Sequence, residues 1–190
     1  EATTYQKLPP PGQVAQPITL PRVKTKLVTM IDNYAKLLPT EKDGFPMRFT
    51  AAMTFFEYGH YQNALTRFEQ IGTELPATPQ GQSSIKAILA FYAERKDWEG
   101  LVKVGRKFNE NPKLMATPVN VEIVKAMKVG VFQLAVQQNK ENKFLEAAKT
   151  FESFQQQFPK DELADKALYN ASLNYYKVAK VDEALAALHH

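Results

Sequence analysis

The chain has 190 residues, 44% of them hydrophobic and 23% charged, with a formal net charge of +4 and no cysteine. That composition excludes bulk disorder, a disulfide framework, a thiol nucleophile and a cysteine-ligated metal. No apolar run reaches the about 18 residues that read as a membrane span, and the positive charge is spread without a basic run, so neither a membrane span nor nucleic-acid binding is expected.

Twelve prolines punctuate the chain, because proline breaks a helix interior but is accepted in its first turn. Residues 1–17 hold Leu8-Pro9-Pro10-Pro11-Gly12-Gln13 and no apolar periodicity. They read as an extended Pro-rich linker that folding does not need. Residues 18–190 read as one helical domain. Its first helix runs through Lys24-x-x-Leu27-x-x-x-Ile31 towards Pro39, and proline-free blocks follow at 47–75, 80–111, 119–158 and 160–190. In the first block, Phe45, Phe49, Ala52, Met53 and Phe56 form one apolar stripe, and Tyr61, Ala64, Leu65 and Phe68 form another. Their spacing is that of helices, not the alternation of a strand. Gly59-His60 falls between the stripes, so the block is a helical hairpin with His60 as a solvated turn residue. In the third block, Val119–Gln138 is apolar around nearly its whole circumference, while Glu122, Lys125 and Lys128 argue against a membrane helix. Such a helix needs cover on several sides, from neighbouring repeats or from a partner.

The second helix of each hairpin carries one signature. It reads Tyr61-x-x-Ala64-x-x-x-Phe68, Trp98-x-x-Leu101, Phe144-x-x-Ala147-x-x-x-Phe151 and Val181-x-x-Ala184-x-x-x-Leu188. With Leu27, the anchors at 27, 64, 101, 147 and 184 are separated by 37, 37, 46 and 37 residues. A small residue at the anchor lets two helices approach, and the aromatic groups around it fill the remaining space. Equal intervals favour a stacked repeat over a non-repeating bundle.

These motifs resemble the tetratricopeptide repeat (TPR). Ala51-Ala52 to Phe55, then Gly59, Tyr61, Ala64, Phe68 and Pro76, carry the resemblance, as do Ala171 to Tyr176 followed by Val181-Asp182-Glu183-Ala184-Leu185. It covers about residues 20–188. Leu101 in place of Ala, Gly105 in place of the next aromatic and Lys24 in place of an apolar residue depart from it. The resemblance implies an all-α, right-handed superhelical solenoid of antiparallel helical hairpins. It also implies a scaffold or adaptor that binds a protein or peptide, and no enzyme. The long aromatic-rich units are similar to those of bacterial cell-envelope members, which implies an envelope complex and a periplasmic setting. A homo-oligomerising structural solenoid and a peptide-sensing regulatory module are the alternatives.

TPR proteins bind along the first helix of each hairpin. The corresponding positions are Phe49, Met53 and Phe56; Lys86, with Ala90 and Ala93; Phe132, Val136 and Asn139; and Tyr169, Leu173 and Tyr176. The implied groove is aromatic and apolar. Lys86 and Asn139 fall in different repeats, so the family's Lys/Asn clamp for a terminal carboxylate is not expected. No catalytic residue, cofactor or metal is expected either: there is no Gly-rich phosphate loop, no His-Glu-x-x-His and only three histidines, two of them the terminal His189 and His190. The last repeat reaches Leu188 without a closing proline. The chain is therefore expected to be a piece of a longer solenoid, with Leu185 and Leu188 on an apolar end that promotes self-association.

Overall fold

A computed structural model describes residues 8–188, so the predicted linker is covered only from Leu8 on and the two terminal histidines fall outside. Among the described residues there are ten helices and no strand. They are α1 (Arg22–Leu37), α2 (Gly44–Glu57), α3 (Tyr61–Glu74), α4 (Pro79–Glu94), α5 (Trp98–Asn109), the single turn α6 (Pro112–Met115), α7 (Asn120–Lys140), α8 (Phe144–Gln157), α9 (Ala164–Lys177) and α10 (Val181–Leu188). The proline punctuation explains most of the boundaries. At α4, Pro79 takes the first helical position, where its missing N–H is not needed. Thr78 caps that end: its hydroxyl accepts the Gly81 N–H at 3.0 Å and donates to the Leu75 carbonyl at 2.7 Å. Asp97 caps α5 by accepting the Gly100 N–H at 2.9 Å.

One turn recurs four times. Gly59, Lys96, Asn142 and Ala179 have φ of 78°, 55°, 61° and 58°. Each sits two residues before a helix of the second kind. The residue after each donates its N–H back across the turn: His60 to Phe55, Asp97 to Tyr92, Lys143 to Gln138 and Lys180 to Tyr175, at 2.9 or 3.0 Å. This is the left-handed C-terminal cap that satisfies the last carbonyls of a helix and reverses the chain. The four positions are separated by 37, 46 and 37 residues, the intervals of the anchors.

The helices fall into two compact units, each with its own interior. One comprises residues up to Phe91 together with Pro112–Val119, and the other comprises Tyr92–Asn111 and everything from Asn120. In the first unit, α1 packs on α2 and α2 on α3. Val28 and Ile31 of α1 bury themselves against Ala51, with Phe55 beside them. The predicted anchor of α1 is thus displaced by one residue. Leu27 is 38% exposed and Val28 takes the inward place, because the α1 backbone turns Val28 and Ile31, not Leu27, towards α2. Phe68 is fully buried and meets Phe49 and Phe56 at centroid distances of 5.5 and 6.0 Å. A Cβ on Gly72 would lie 2.4 Å from Ile85, so α3 and α4 touch at that glycine.

The Pro-rich segment is docked onto this unit. Its chain turns at Gly12 (φ 86°), and Val14 is buried at 4% exposure against Gly59. The Tyr61 hydroxyl donates to the Val14 carbonyl, and the Ile18 N–H donates to Tyr58, both at 2.9 Å. His60 is not a freely solvated turn residue. Its Nε2 lies 2.9 Å from the Ile18 carbonyl, which only accepts, so that nitrogen donates.

In the second unit, α7 packs on α5 and on α8, α8 on α9, and α9 on α10. That is the several-sided cover expected of the long apolar helix. Phe132, Phe151, Phe154, Ala167, Ala171 and Ala187 share one core. Three of the anchor residues are closed off: Leu101 and Ala147 are fully buried and Ala184 is 6% exposed. The departure at Gly105 is filled from the neighbouring helix, since Met127 Cγ lies 2.6 Å from where its Cβ would be. Methionine is flexible enough to take that irregular gap.

Candidate partner-binding surfaces

The ten residues assigned to a binding groove separate by burial. Phe49, Met53 and Phe56 on α2 are half-buried, and the Phe56 ring lies 5.4 Å from Tyr61 and 5.9 Å from Phe91. Phe49 and Phe56 belong to an aromatic cluster inside the first unit. Phe132 on α7 is 8% exposed and meets Phe151 and Phe154 edge-on, at 5.4 Å from each. It is a core residue. Val136 is partly buried against the same core. Asn139 is half-buried, and its Oδ1 accepts a hydrogen bond from Lys177 Nζ at 3.0 Å while that ammonium lies 4.6 Å above the Phe144 ring. Lys86 is exposed on α4.

The three positions on α9 are different. Tyr169, Leu173 and Tyr176 are 57%, 42% and 71% exposed. They are spaced four and three apart, so they lie on one side of the helix. The opposite side, through Ala167, Ala171 and Tyr175, is buried. Tyr175 shows what an inward tyrosine of this helix does: its hydroxyl donates to Glu152 at 2.6 Å, and burial together with that carboxylate raises its pKa. Among the described residues no comparable hydrogen bond holds the hydroxyl of Tyr169 or Tyr176. Two tyrosines and a leucine standing in water form the kind of surface that binding faces use, large in area and low in rotamer entropy.

Two grooves escape the sequence reading. In the first unit a cavity of about 660 Å³ lies along α1, α2 and α3. Two ion pairs cross it. Arg67 of α3 grips Asp32 of α1 through two 2.7 Å bonds, and Arg48 of α2 pairs with Glu74 of α3 at 2.5 Å. The Arg67 hydrogen bonds, and then its charge with that of Lys36, hold the Asp32 carboxyl below its ordinary pKa against the opposing effect of burial. Carboxylates and guanidiniums here satisfy one another, so the groove offers no unused charge of either ion pair. In the second unit a cavity of about 510 Å³ runs along α5, α7 and α8, with Val131 and Leu134 on its floor and Lys103, Arg106 and Lys149 around it. Both grooves are lined from first and second helices together, by residues other than the ten assigned to the binding groove.

Other charges serve the fold. Asp161 pairs with Lys128 at 2.7 Å and accepts the Leu163 N–H at 3.1 Å. Both contacts lower its pKa, the Lys128 hydrogen bond most. Among the described residues no cluster of His, Asp or Glu has the geometry of a metal site, and no helix is long and apolar enough to cross a membrane. No protein-family model matches the chain, and no curated protein is similar to it.

Proposed function

We propose that this chain is a TPR-like helical-repeat module that binds a protein or peptide segment, with α9 as the receiving helix. The observation that carries the reading is the exposed Tyr169-Leu173-Tyr176 stripe. One repeat earlier, the position equivalent to Tyr169 is Phe132, which is 8% exposed and part of a core. Both are aromatic, but the ring on α9 is left open. The fourfold left-handed turn at 37-, 46- and 37-residue intervals supports the repeat on which the reading depends. Apolar and aromatic contacts then supply the affinity, and charge has a minor part.

The test is selection of peptides from a displayed random library on the purified chain, followed by affinity measurement on a Tyr169→Ser, Leu173→Ser, Tyr176→Ser variant. All three side chains are exposed, so the variant should keep its helical spectrum and thermal midpoint. Selected peptides should bind it at least about tenfold more weakly, a loss of ~1.4 kcal/mol. Their affinity for the native chain should change little with added salt, because screening acts on exposed charges. Equal binding to both chains, or affinity that collapses with salt, would remove α9 as the receiving surface.

A further inference from the structure

The largest exposed aliphatic side chains of the described chain stand on α1. Val23, Met30 and Leu37 are 77%, 69% and 80% exposed, and Leu27 is 38% exposed. With Tyr34, whose ring lies beside Gly44, they occupy positions 23, 27, 30, 34 and 37. The steps are four, three, four and three, the spacing of a coiled-coil seam. The stripe is narrow and lies apart from the buried face of Val28 and Ile31. A helix that lies in a membrane surface presents a broad apolar face, whereas a strict seam of this kind matches a second helix.

The charge beside the seam is of one sign. α1 carries Arg22, Lys24, Lys26 and Lys36, and its only carboxylate, Asp32, is taken up by both bonds to Arg67. Arg22, Lys24 and Lys26 make no ion pair among the described residues. Lys24 and Lys26 flank the seam, and a second copy of α1 laid parallel would set them against their own counterparts, whereas a helix with acidic flanks would pair with them. Charges flanking a seam choose the partner in this way.

We propose that α1 is a docking helix for an amphipathic helix of another protein whose apolar seam is flanked by acidic side chains. The surface is distinct from α9 and does not depend on the reading of that helix.

The probe is a labelled synthetic peptide of three heptads with Leu at the seam and Glu at the flanking positions, which repels its own copies. A counterpart with Lys at those positions is the control, and fluorescence anisotropy is the readout. The acidic peptide should bind the chain and the basic one should not. Met30→Glu, at a site 69% exposed and so compatible with folding, should weaken binding of the acidic peptide at least about tenfold. A Lys24→Glu, Lys26→Glu variant should reverse the preference and take the basic peptide. Failure of the acidic peptide to bind, undiminished binding to the Met30→Glu chain, or unreversed preference in the double variant would overturn the proposal. So would retention on phosphatidylserine-rich vesicles without binding of either peptide, which would assign the helix to a membrane surface instead.

Discussion

At Gly59, Lys96, Asn142 and Ala179 the same left-handed backbone is built from four different residues. Only at Gly59 does the surrounding structure demand glycine, since a Cβ there would lie 2.7 Å from Val14 Cγ1. Ala179 accepts the φ of 58° against its own steric preference. A left-handed alanine costs about 1–2 kcal/mol, part of which glycine gives back through its greater freedom in the unfolded chain. Ala179→Gly should therefore stabilise the chain by ~0.5–1 kcal/mol, seen as a higher midpoint in thermal or urea unfolding. Gly59→Ala should do the opposite and also free the Pro-rich segment, which shows as faster proteolysis between Leu8 and Pro21. An Ala179→Gly chain no more stable than the native one would mean that the turn is relaxed in ways the dihedral angle does not show. Sequence reading finds Gly59 at once because glycine announces a turn. The other three carry no glycine, and the sequence reading does not name them.

The helices themselves were legible because their signals are local. Prolines at 39, 46, 76, 79, 112, 118 and 159 fall between or at the ends of helices, and the periods of three and four run through each block. Ala64 and Ala147 are fully buried, as residues at an interhelical contact should be. Tryptophan at Ala147 would overpack that contact and should lower stability by ~1–3 kcal/mol or more. Less legible were the ties between helices far apart in sequence, of which Arg67 to Asp32 across 35 residues is the clearest. The Asp32 carboxyl titrates below its ordinary value of 3.8 because Arg67 bonds its charged form. Its contribution is therefore complete above that value and disappears as the pH falls through the lower, folded-state value. Arg67→Met should be less stable than the native chain at neutral pH, and the gap should narrow as the pH drops from ~5 to ~2. A gap independent of pH would show that Arg67 acts by its packing over Phe55, where its guanidinium lies 4.9 Å from the ring, and not by the ion pair.

No period in the sequence announces the division into two units. The repeat intervals pass through it, and its boundaries fall at Phe91, near the end of α4, and around the Pro112–Val119 excursion, which belongs with the first unit. Leu114 and Val119 of that excursion are fully buried. The binding face was half legible for a related reason. Spacing identifies which residues share a side of a helix, but not whether another helix covers that side. Phe132 and Tyr169 are both aromatic and occupy equivalent positions, yet one is 8% and the other 57% exposed. If the two interiors are separate cooperative units, damage to one should spare the other. Phe154 is fully buried in the second and Phe68 in the first, so truncating either to alanine removes about 3–5 kcal/mol of local packing. Hydrogen exchange read by mass spectrometry should then show loss of amide protection concentrated in α7, α8 and α9 for Phe154→Ala, with α1, α2 and α3 retaining most of theirs. Phe68→Ala should give the reverse pattern. Uniform loss across all helices in both variants would mean that the chain unfolds as a single cooperative body despite its two interiors.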